Sequence, residues 1–194
     1  MLRLKKDSEG EIDKHKAHVV AKGFMQQEGV DYFETFAPVA RLASIRIVLT
    51  ITVRNNWKID TFDFHSTFLN RTFDKDEEIY MEQPPEYEEK DRRLYVLCLL
   101  KTIYGLKQSS RKWYEIICQL MAELGFTRGE YDLAVFFWRE GDDTMVIVIH
   151  IDDCTITGNL QKLIDDCKMK VKSRYTMTDL GPIYVVGPRN QDHS

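Results

Sequence analysis

The sequence is poor in the residues that break or staple a chain. Its 194 residues hold only 10 glycines and 5 prolines, so no long flexible linker or collagen-like tract is hidden in it. Cysteine is as sparse. Cys98, Cys118, Cys154 and Cys167 stand apart, with no C-x-x-C pair and no histidine at ligand spacing, which argues against a zinc site. Because they fall in apolar periodic segments, they are expected as buried thiols in a reducing compartment. Long apolar runs are missing too: residues 45–53 and 145–151 are the longest, both too short to span a bilayer and both interrupted by polar groups. The first ten positions carry Arg3, Lys5, Lys6, Asp7 and Glu9 in place of a signal-peptide core, so the expectation is a soluble, intracellular protein. An excess of one charge is also lacking. With 27 Lys and Arg against 31 Asp and Glu, the formal charge of −4 opposes a generally basic nucleic-acid coat but leaves room for a local basic groove.

What is present suits a globular domain. Apolar residues make up 43% of the chain, with 10 Phe, 9 Tyr and 3 Trp, enough for a sizeable core at a length typical of one domain. Residues 2–20 alternate around Asp7-Ser8-Glu9-Gly10, which reads as a hairpin. Residues 42–53 read as a helix with Leu42, Ile45, Leu49 and Val53 on its apolar face. Residues 57–64, 79–82 and 94–100 are strand candidates, with a loop over 84–93. Residues 110–126 give the clearest helix, striped by Trp113, Ile117, Leu120, Met121 and Leu124 and ended by Gly125. Strands follow over 133–138, 144–151 and 154–157. A helix over 160–173 then presents Leu163, Ile164, Cys167 and Val171 inward, with Asn159 as its cap. The expected class is α+β, an antiparallel sheet backed by helices.

One constellation has chemical content. The apolar run 145–151 ends in Asp152-Asp153, and a second apolar strand follows. On residue type alone an acidic turn between buried strands accounts for this pair, since Asp is a good turn former. A functional reading needs a partner carboxylate, and Asp63 supplies one at the end of the strand over 57–64. Carboxylates on two neighbouring strand ends can clamp divalent ions for phosphoryl transfer, held more rigidly by a sheet than by a loop. Asp142-Asp143 and Asp165-Asp166 read instead as solvated surface, in a hairpin turn and on an outer helix face.

Beyond these residues, several segments in order resemble the reverse transcriptase domain of copia-type LTR retrotransposons: "KHKAHVVAKGFMQQEGVDYFETFAPVARLASIRIVL", "DFHSTFLN", "EEIYMEQP", "TIYGLKQSSRKWY", "LGFTRGEYDLAVF", "VIHIDDCTITG" and "MTDLGP". The resemblance implies a polymerase palm-and-fingers fold, a right hand without thumb, with residues 1–182 a partial reverse transcriptase domain and 183–194 a divergent tail. It implies template-directed DNA synthesis from dNTPs on an RNA or DNA template-primer, with two Mg²⁺ ions as cofactor and no membrane. By the same resemblance Asp63, Asp152 and Asp153 are catalytic and metal-binding, and the backbone carbonyl of Phe64 is an added ligand. Phe68 would exclude the ribose 2′-hydroxyl, where residue type alone suggests a core aromatic. Tyr104 and Gly105 would lie over the incoming nucleotide, Lys16 and Lys22 would meet its triphosphate, and Lys107, Gln108, Arg111 and His150 would face template or primer.

Residues 101–112 carry Lys101, Lys107, Arg111 and Lys112 with no acid between them, which fits phosphate contact and equally fits a solvated basic face. The sequence departs from the family pattern at His150 (for the aromatic of "YVDD"), His18 (for an arginine), Ser109-Ser110 (which lose a proline) and Arg71 (for a glycine). These departures keep a second expectation open, a catalytically inactive remnant or a domesticated RNA- or protein-binding module.

Overall fold

The computed structural model describes residues 2–6, 9–65, 67–70, 72–73, 77–89 and 94–183. The chain divides into two compact units, one of residues 1–36 and 68–113 and the other of residues 37–67 and 114–194. The first holds the strands β1 (Leu2–Lys6) and β2 (Ile12–Ala17), paired antiparallel, and the short pair β4 (Tyr80–Met81) and β5 (Leu97–Cys98). The hairpin expected over 2–20 is this first pair. The strand expected over 94–100 shrinks to Leu97–Cys98, with both residues exposed. Cys98 is therefore an exposed thiol and Cys118 a half-buried one, whereas Cys154 and Cys167 are buried as expected. An apolar run alone does not say what packs upon it.

The second unit is built on a six-stranded antiparallel sheet. Its strands are β3 (Lys58–Phe64), β6 (Thr127–Arg128), β7 (Val135–Glu140), β8 (Asp143–His150), β9 (Asp153–Gly158) and β10 (Met177–Pro182), in the order β10-β3-β9-β8-β7-β6. Because β-strand side chains alternate, Asp60, Phe62 and Phe64 of β3 share one face and Thr61 and Asp63 the other. The helix α3 (Gln161–Lys172) lies on the Asp60 face, where its Lys168 pairs with Asp60. Tyr175, just beyond α3, stands edge-on to Phe64 with ring centroids 6.1 Å apart. The helix α2 (Ser109–Glu123) buries Trp113, Ile117, Leu120 and Met121, the stripe expected from sequence. It stops where Gly125 turns to φ +86°, and the Phe126 amide reaches back to the Met121 carbonyl at 2.9 Å.

The helix α1 (Leu42–Arg54) packs against β9, with Thr52 Oγ1 2.9 Å from Thr157 Oγ1. Thr157 shares a strand face with Asp153, so α1 covers one end of the carboxylate face. Its buried face centres on Val48 and Thr52; of the expected line, Ile45 packs against the core beside Val48 and Leu49 is half-buried, while Leu42 and Val53 are exposed. The helix is apolar around most of its circumference, so periodicity could not choose a face. The buried hydroxyl pair singles out Thr52. Ile47 and Ile51, beside Val48, line a groove of about 280 Å³ with Trp57, Val135 and Phe137. Asn159 is likewise not a cap. It accepts the Thr144 amide at 3.0 Å and donates to Asp143 Oδ1 at 3.0 Å, bracing the start of β8, while Leu160 occupies the N-cap of α3 without a side-chain bond.

The N-terminus of α1 has no capping side chain of its own. Asp132, 91 residues further on, takes that place: Oδ2 accepts the Arg41 amide at 2.9 Å and Oδ1 accepts the Ala134 amide at 3.1 Å. Partial burial pushes this carboxyl up, but hydrogen bonds from Ser44, Arg41 and Ala134 outweigh it and leave its pKa below the ordinary value. A carboxylate with a lowered folded pKa adds stability above its unfolded pKa and loses it as pH falls through the folded one. Asp132→Asn is therefore expected to cost about 1 kcal/mol at pH 7, typical of a weakened cap. The loss should shrink as pH falls below about 4. Urea titrations of both proteins at pH 7 and pH 3 check this.

Candidate functional site

The site begins with strand register. β3 pairs with β9 so that Asp63 lies opposite Asp153, and β9 pairs with β8 so that Asp153 lies opposite His150. On the other side of β3, Thr178 of β10 lies opposite Asp63. Thr178, Asp63, Asp153 and His150 thus form one row across four strands, on one face of the sheet. The Phe64 amide donates to the Asp152 carbonyl at 3.0 Å, which fastens the β8–β9 turn to the end of β3. Phe64 itself is buried, edge-on to Phe62 with ring centroids 5.6 Å apart. Asp63 and Asp152 are half-buried and Asp153 is exposed, so their carboxylates keep access to solvent and solutes.

The turn carries strain. Ile151 has φ +63°, a left-handed conformation that a β-branched residue rarely adopts, and Asp152 follows it with negative φ. A two-residue hairpin with positive φ only at its first central position ordinarily uses glycine there. Such outliers cluster at functional sites, where surrounding structure holds them in place.

Electrostatics mark the same point. The Cys154 thiol is fully buried behind the turn, and its pKa is pushed well above the ordinary value, first by burial and then by the charges of Asp153, Asp152 and Asp63. Among the described residues, no three His, Cys, Asp or Glu side chains converge as a ready-made metal cage. The donor set is nevertheless of the oxygen type that hard cations prefer. Mg²⁺ commonly takes one or two protein carboxylates and completes its shell with water and substrate phosphates. The residues present fit an ion bound in that way.

The remaining candidates lie in the first unit. Tyr104 sits edge-on to both Phe68 and His18, each with ring centroids 4.8 Å away. The Thr102 hydroxyl donates to the Phe68 carbonyl, and Phe68 is half-buried. Gly105, at φ +92°, lies so close to the segment before Lys22 that a Cβ there would stand 2.2 Å from the Ala21 carbonyl oxygen. The Ala21 amide donates to the Tyr104 carbonyl at 2.8 Å, which brings exposed Lys22 next to Tyr104 and Gly105. Lys16 lies in β2 opposite Arg3.

The basic run is partly neutralised by acids distant in sequence. Arg111 pairs with Glu34 at 2.7 Å and Lys112 with Glu77 at 2.8 Å, while the Lys107 ammonium stands 5.6 Å from the centre of the Tyr32 ring. Gln108 is buried. Its amide nitrogen donates to the Asp31 carbonyl at 3.0 Å, and its oxygen accepts from Gln26 at 3.1 Å, so both ends are engaged within the unit.

Two features escaped the sequence reading. Thr178, hydrogen-bonded to His65 Nε2, lies on a strand whose segment, Met177-Thr178-Asp179-Leu180-Gly181-Pro182, contains two breakers and buries only Met177. No alternating apolar signal marks it. Lys168 did leave a signal, because it falls on the inner face of α3 in step with Ile164, Cys167 and Val171.

A family model described as reverse transcriptase (RNA-dependent DNA polymerase) matches residues 1–186. The chain is 38% identical over 175 residues to the retrovirus-related Pol polyprotein from transposon RE1 of Arabidopsis thaliana, covering 90% of this chain and 12% of that one. It is 34% identical over 183 residues to the retrovirus-related Pol polyprotein from transposon TNT 1-94 of Nicotiana tabacum, covering 94% of this chain and 14% of that one. The chain thus spans about an eighth of the length of these relatives. No solved structure matches. No helix among the described residues is long and apolar enough to cross a membrane.

The strained turn can be tested directly. Ile151→Gly is expected to raise stability by about 1 kcal/mol, the relief of a left-handed β-branched residue less the entropy of glycine. The urea midpoint should rise at unchanged slope.

Proposed function

The chain belongs to the reverse transcriptase (RNA-dependent DNA polymerase) family, in its copia-type branch, and on that premise we propose that Asp63, Asp152 and Asp153 form the nucleotidyl-transfer centre of a template-directed DNA polymerase. The observation that carries this reading is the register of β3 on β9, with Asp63 opposite Asp153 and the Phe64 amide bonded to the Asp152 carbonyl. Three carboxylates are thereby presented by the ends of paired strands, whose backbone positions do not have to be found anew when substrate binds.

In this reading the sheet of the second unit is the palm and the hairpin unit belongs to the fingers. Residues 1–182 correspond to part of the reverse transcriptase domain. Of the divergent tail expected over 183–194, all but Ile183 lies outside the described residues. The reaction is attack of a primer 3′-hydroxyl on the α-phosphate of a dNTP, with pyrophosphate leaving. Divalent ions of the Mg²⁺ type, when bound, supply charge neutralisation at the attacking and leaving oxygens. Asp63 and Asp153 offer oxygens from adjacent strands, Asp152 offers a third carboxylate from the turn, and the Phe64 carbonyl is an added ligand.

The other residues position substrate. The Phe68 ring, braced edge-on by Tyr104, is the barrier to a ribose 2′-hydroxyl. Tyr104 and Gly105 lie over the incoming nucleotide, and Lys22 and Lys16 meet its triphosphate. Lys107, Gln108, Arg111 and His150 belong to the template and primer side. Gln108 acts there by holding its turn, since both ends of its amide are bonded inside the unit. Arg111 reaches a phosphate by exchanging Glu34 for it.

The test is primer extension on poly(rA)–oligo(dT) with dTTP and Mg²⁺, using folded protein. The parent chain is expected to extend the primer, and Asp152→Asn to lose at least about a hundredfold in rate. No extension by the folded parent would overturn the reading and favour an inactive remnant or binding module. Phe68→Ala is expected to raise incorporation of ribonucleotides relative to dNTPs by roughly tenfold, in line with pocket discrimination of a single small group. An unchanged ratio in single-nucleotide insertion assays would remove Phe68 from that role.

A further inference from the structure

Behind the carboxylate face lies a second charged cluster that the proposed chemistry does not use. The Lys168 side chain on α3 is only 9% exposed and that of Asp60 on β3 only 3%. Their ion pair is joined by Asp179 of β10, whose Oδ2 stands 2.9 Å and Oδ1 3.1 Å from the Lys168 ammonium. Asp165 adds a more distant contact at 3.9 Å. A buried ammonium is costly unless paired, and here it is paired twice.

The cluster explains what holds β10. That strand is the edge of the sheet, and of its residues only Met177 is buried. Hydrophobic burial therefore contributes little to keeping it in place. Its ladder is also interrupted, with a bulge between Asp179 and Gly181. The Gly181 amide donates to Asp179 Oδ1 at 2.9 Å, so the bulge holds the carboxylate that Lys168 binds. Asp179 lies opposite Phe62, on the helix side of the sheet, and Thr178 opposite Asp63, on the other side. One residue of β10 is gripped from behind and its neighbour stands in the carboxylate row, with its hydroxyl on His65.

We propose that Lys168 is a positioning residue: by tying Asp179 to Asp60 it locks edge strand β10 onto β3 and so fixes the place of Thr178 and Asp63 in the carboxylate row. The effect on Asp63 rests on the reading of that residue as a metal ligand. The tether is charged at neutral pH. Burial pushes the Lys168 ammonium down, but its bonds to Asp60 and Asp179 outweigh that and raise its pKa above 10.5. Burial pushes Asp179 up, but Lys168, the Gly181 amide and the charge of Lys172 bring its pKa below the ordinary value. Both partners thus keep their charges between roughly pH 4 and pH 10.

The test uses Asp179→Ala, which severs the β10 half and leaves the buried Lys168–Asp60 pair intact, so the chain still folds. Two readouts are taken on the whole chain: amide hydrogen exchange, and Mn²⁺ binding followed by paramagnetic broadening, with Asp63→Asn as reference. Loss of a charge-assisted bond should speed exchange of the amides that join β10 to β3, such as His65 and Ile183, by about tenfold or more, with β8 and β9 unaffected. The Mn²⁺ half-saturation concentration should rise several-fold, and Asp179→Asn, which keeps an acceptor for Lys168 and Gly181, should retain most of both properties.

Unchanged exchange in Asp179→Ala would overturn the tether, as would acceleration spread evenly over β8 and β9. Faster exchange confined to β10 with unchanged Mn²⁺ binding would overturn the positioning role while leaving the carboxylate site intact. A parent chain that binds Mn²⁺ no better than Asp63→Asn would overturn the metal reading of Asp63, and positioning with it.

Discussion

The pairing of β3 with β9 sets Asp63 opposite Asp153 and, through the Phe64 amide, draws the Asp152 turn to the end of β3, and the rest of the second unit is built around that ladder. The ladder from Lys58–Gly158 to Asp63–Asp153 runs the length of both strands. Behind it Phe62, Phe64, Cys154 and Ile156 are buried. The burial of these side chains contributes roughly 1.5–3 kcal/mol for each large apolar one, so the ladder is anchored from the face behind the carboxylates. The core fixes the backbone from which Asp63 and Asp153 project.

Much of this arrangement was legible in the sequence, and where it was not the reasons are physical. α2 announced itself because its apolar stripe follows the helical period, and β3, β7, β8 and β9 because each is a short run rich in apolar, β-branched or aromatic residues, of which β8 is buried on both faces. Residue type and strand ends offered Asp63 as a partner for Asp152 and Asp153 only as one reading beside a plain acidic turn, and the resemblance decided between them, since strand register is a tertiary property. α1 is a helix as expected and Ile45 and Leu49 lie at its inner side, but the ends of the expected line, Leu42 and Val53, are exposed, because apolar residues surround the helix and a threonine pair turns its docking toward Thr52. β10 was invisible: it is held by hydrogen bonds and an ion pair rather than by an apolar face. Helix caps were misplaced for the same reason. The residue placed to cap a helix braces a strand, and an aspartate far along the chain caps α1.

The first unit follows a different logic. Its candidate residues are organised around close backbone approach and aromatic edges, with little regular structure. Gly23 and Gly105 allow two loop segments to meet, and a Cβ on Gly23 would stand 1.9 Å from the Gly105 carbonyl oxygen. Tyr104 then joins His18 to Phe68 through edge-on contacts. Charge here is provisional. Arg111 and Lys112 are already paired with glutamates, so any anion they meet must compete with a carboxylate. Such competition lowers affinity but sharpens discrimination, since only a ligand with more charge or better geometry displaces the acid.

The irregularity of β10 has a further meaning for how copies of this chain behave in company. Among the described residues the six-stranded sheet has two rims, and a straight unpaired rim invites a neighbouring molecule to add its own strand. Here one rim is β6, only two residues long. The other is β10, kinked at Leu180, turned through Gly181 at φ +76° and ended by Pro182, which has no amide hydrogen to offer. Neither rim gives an incoming strand a continuous row of donors and acceptors. The departure from regularity that obscured β10 in the sequence also guards the sheet against growing from one molecule into the next.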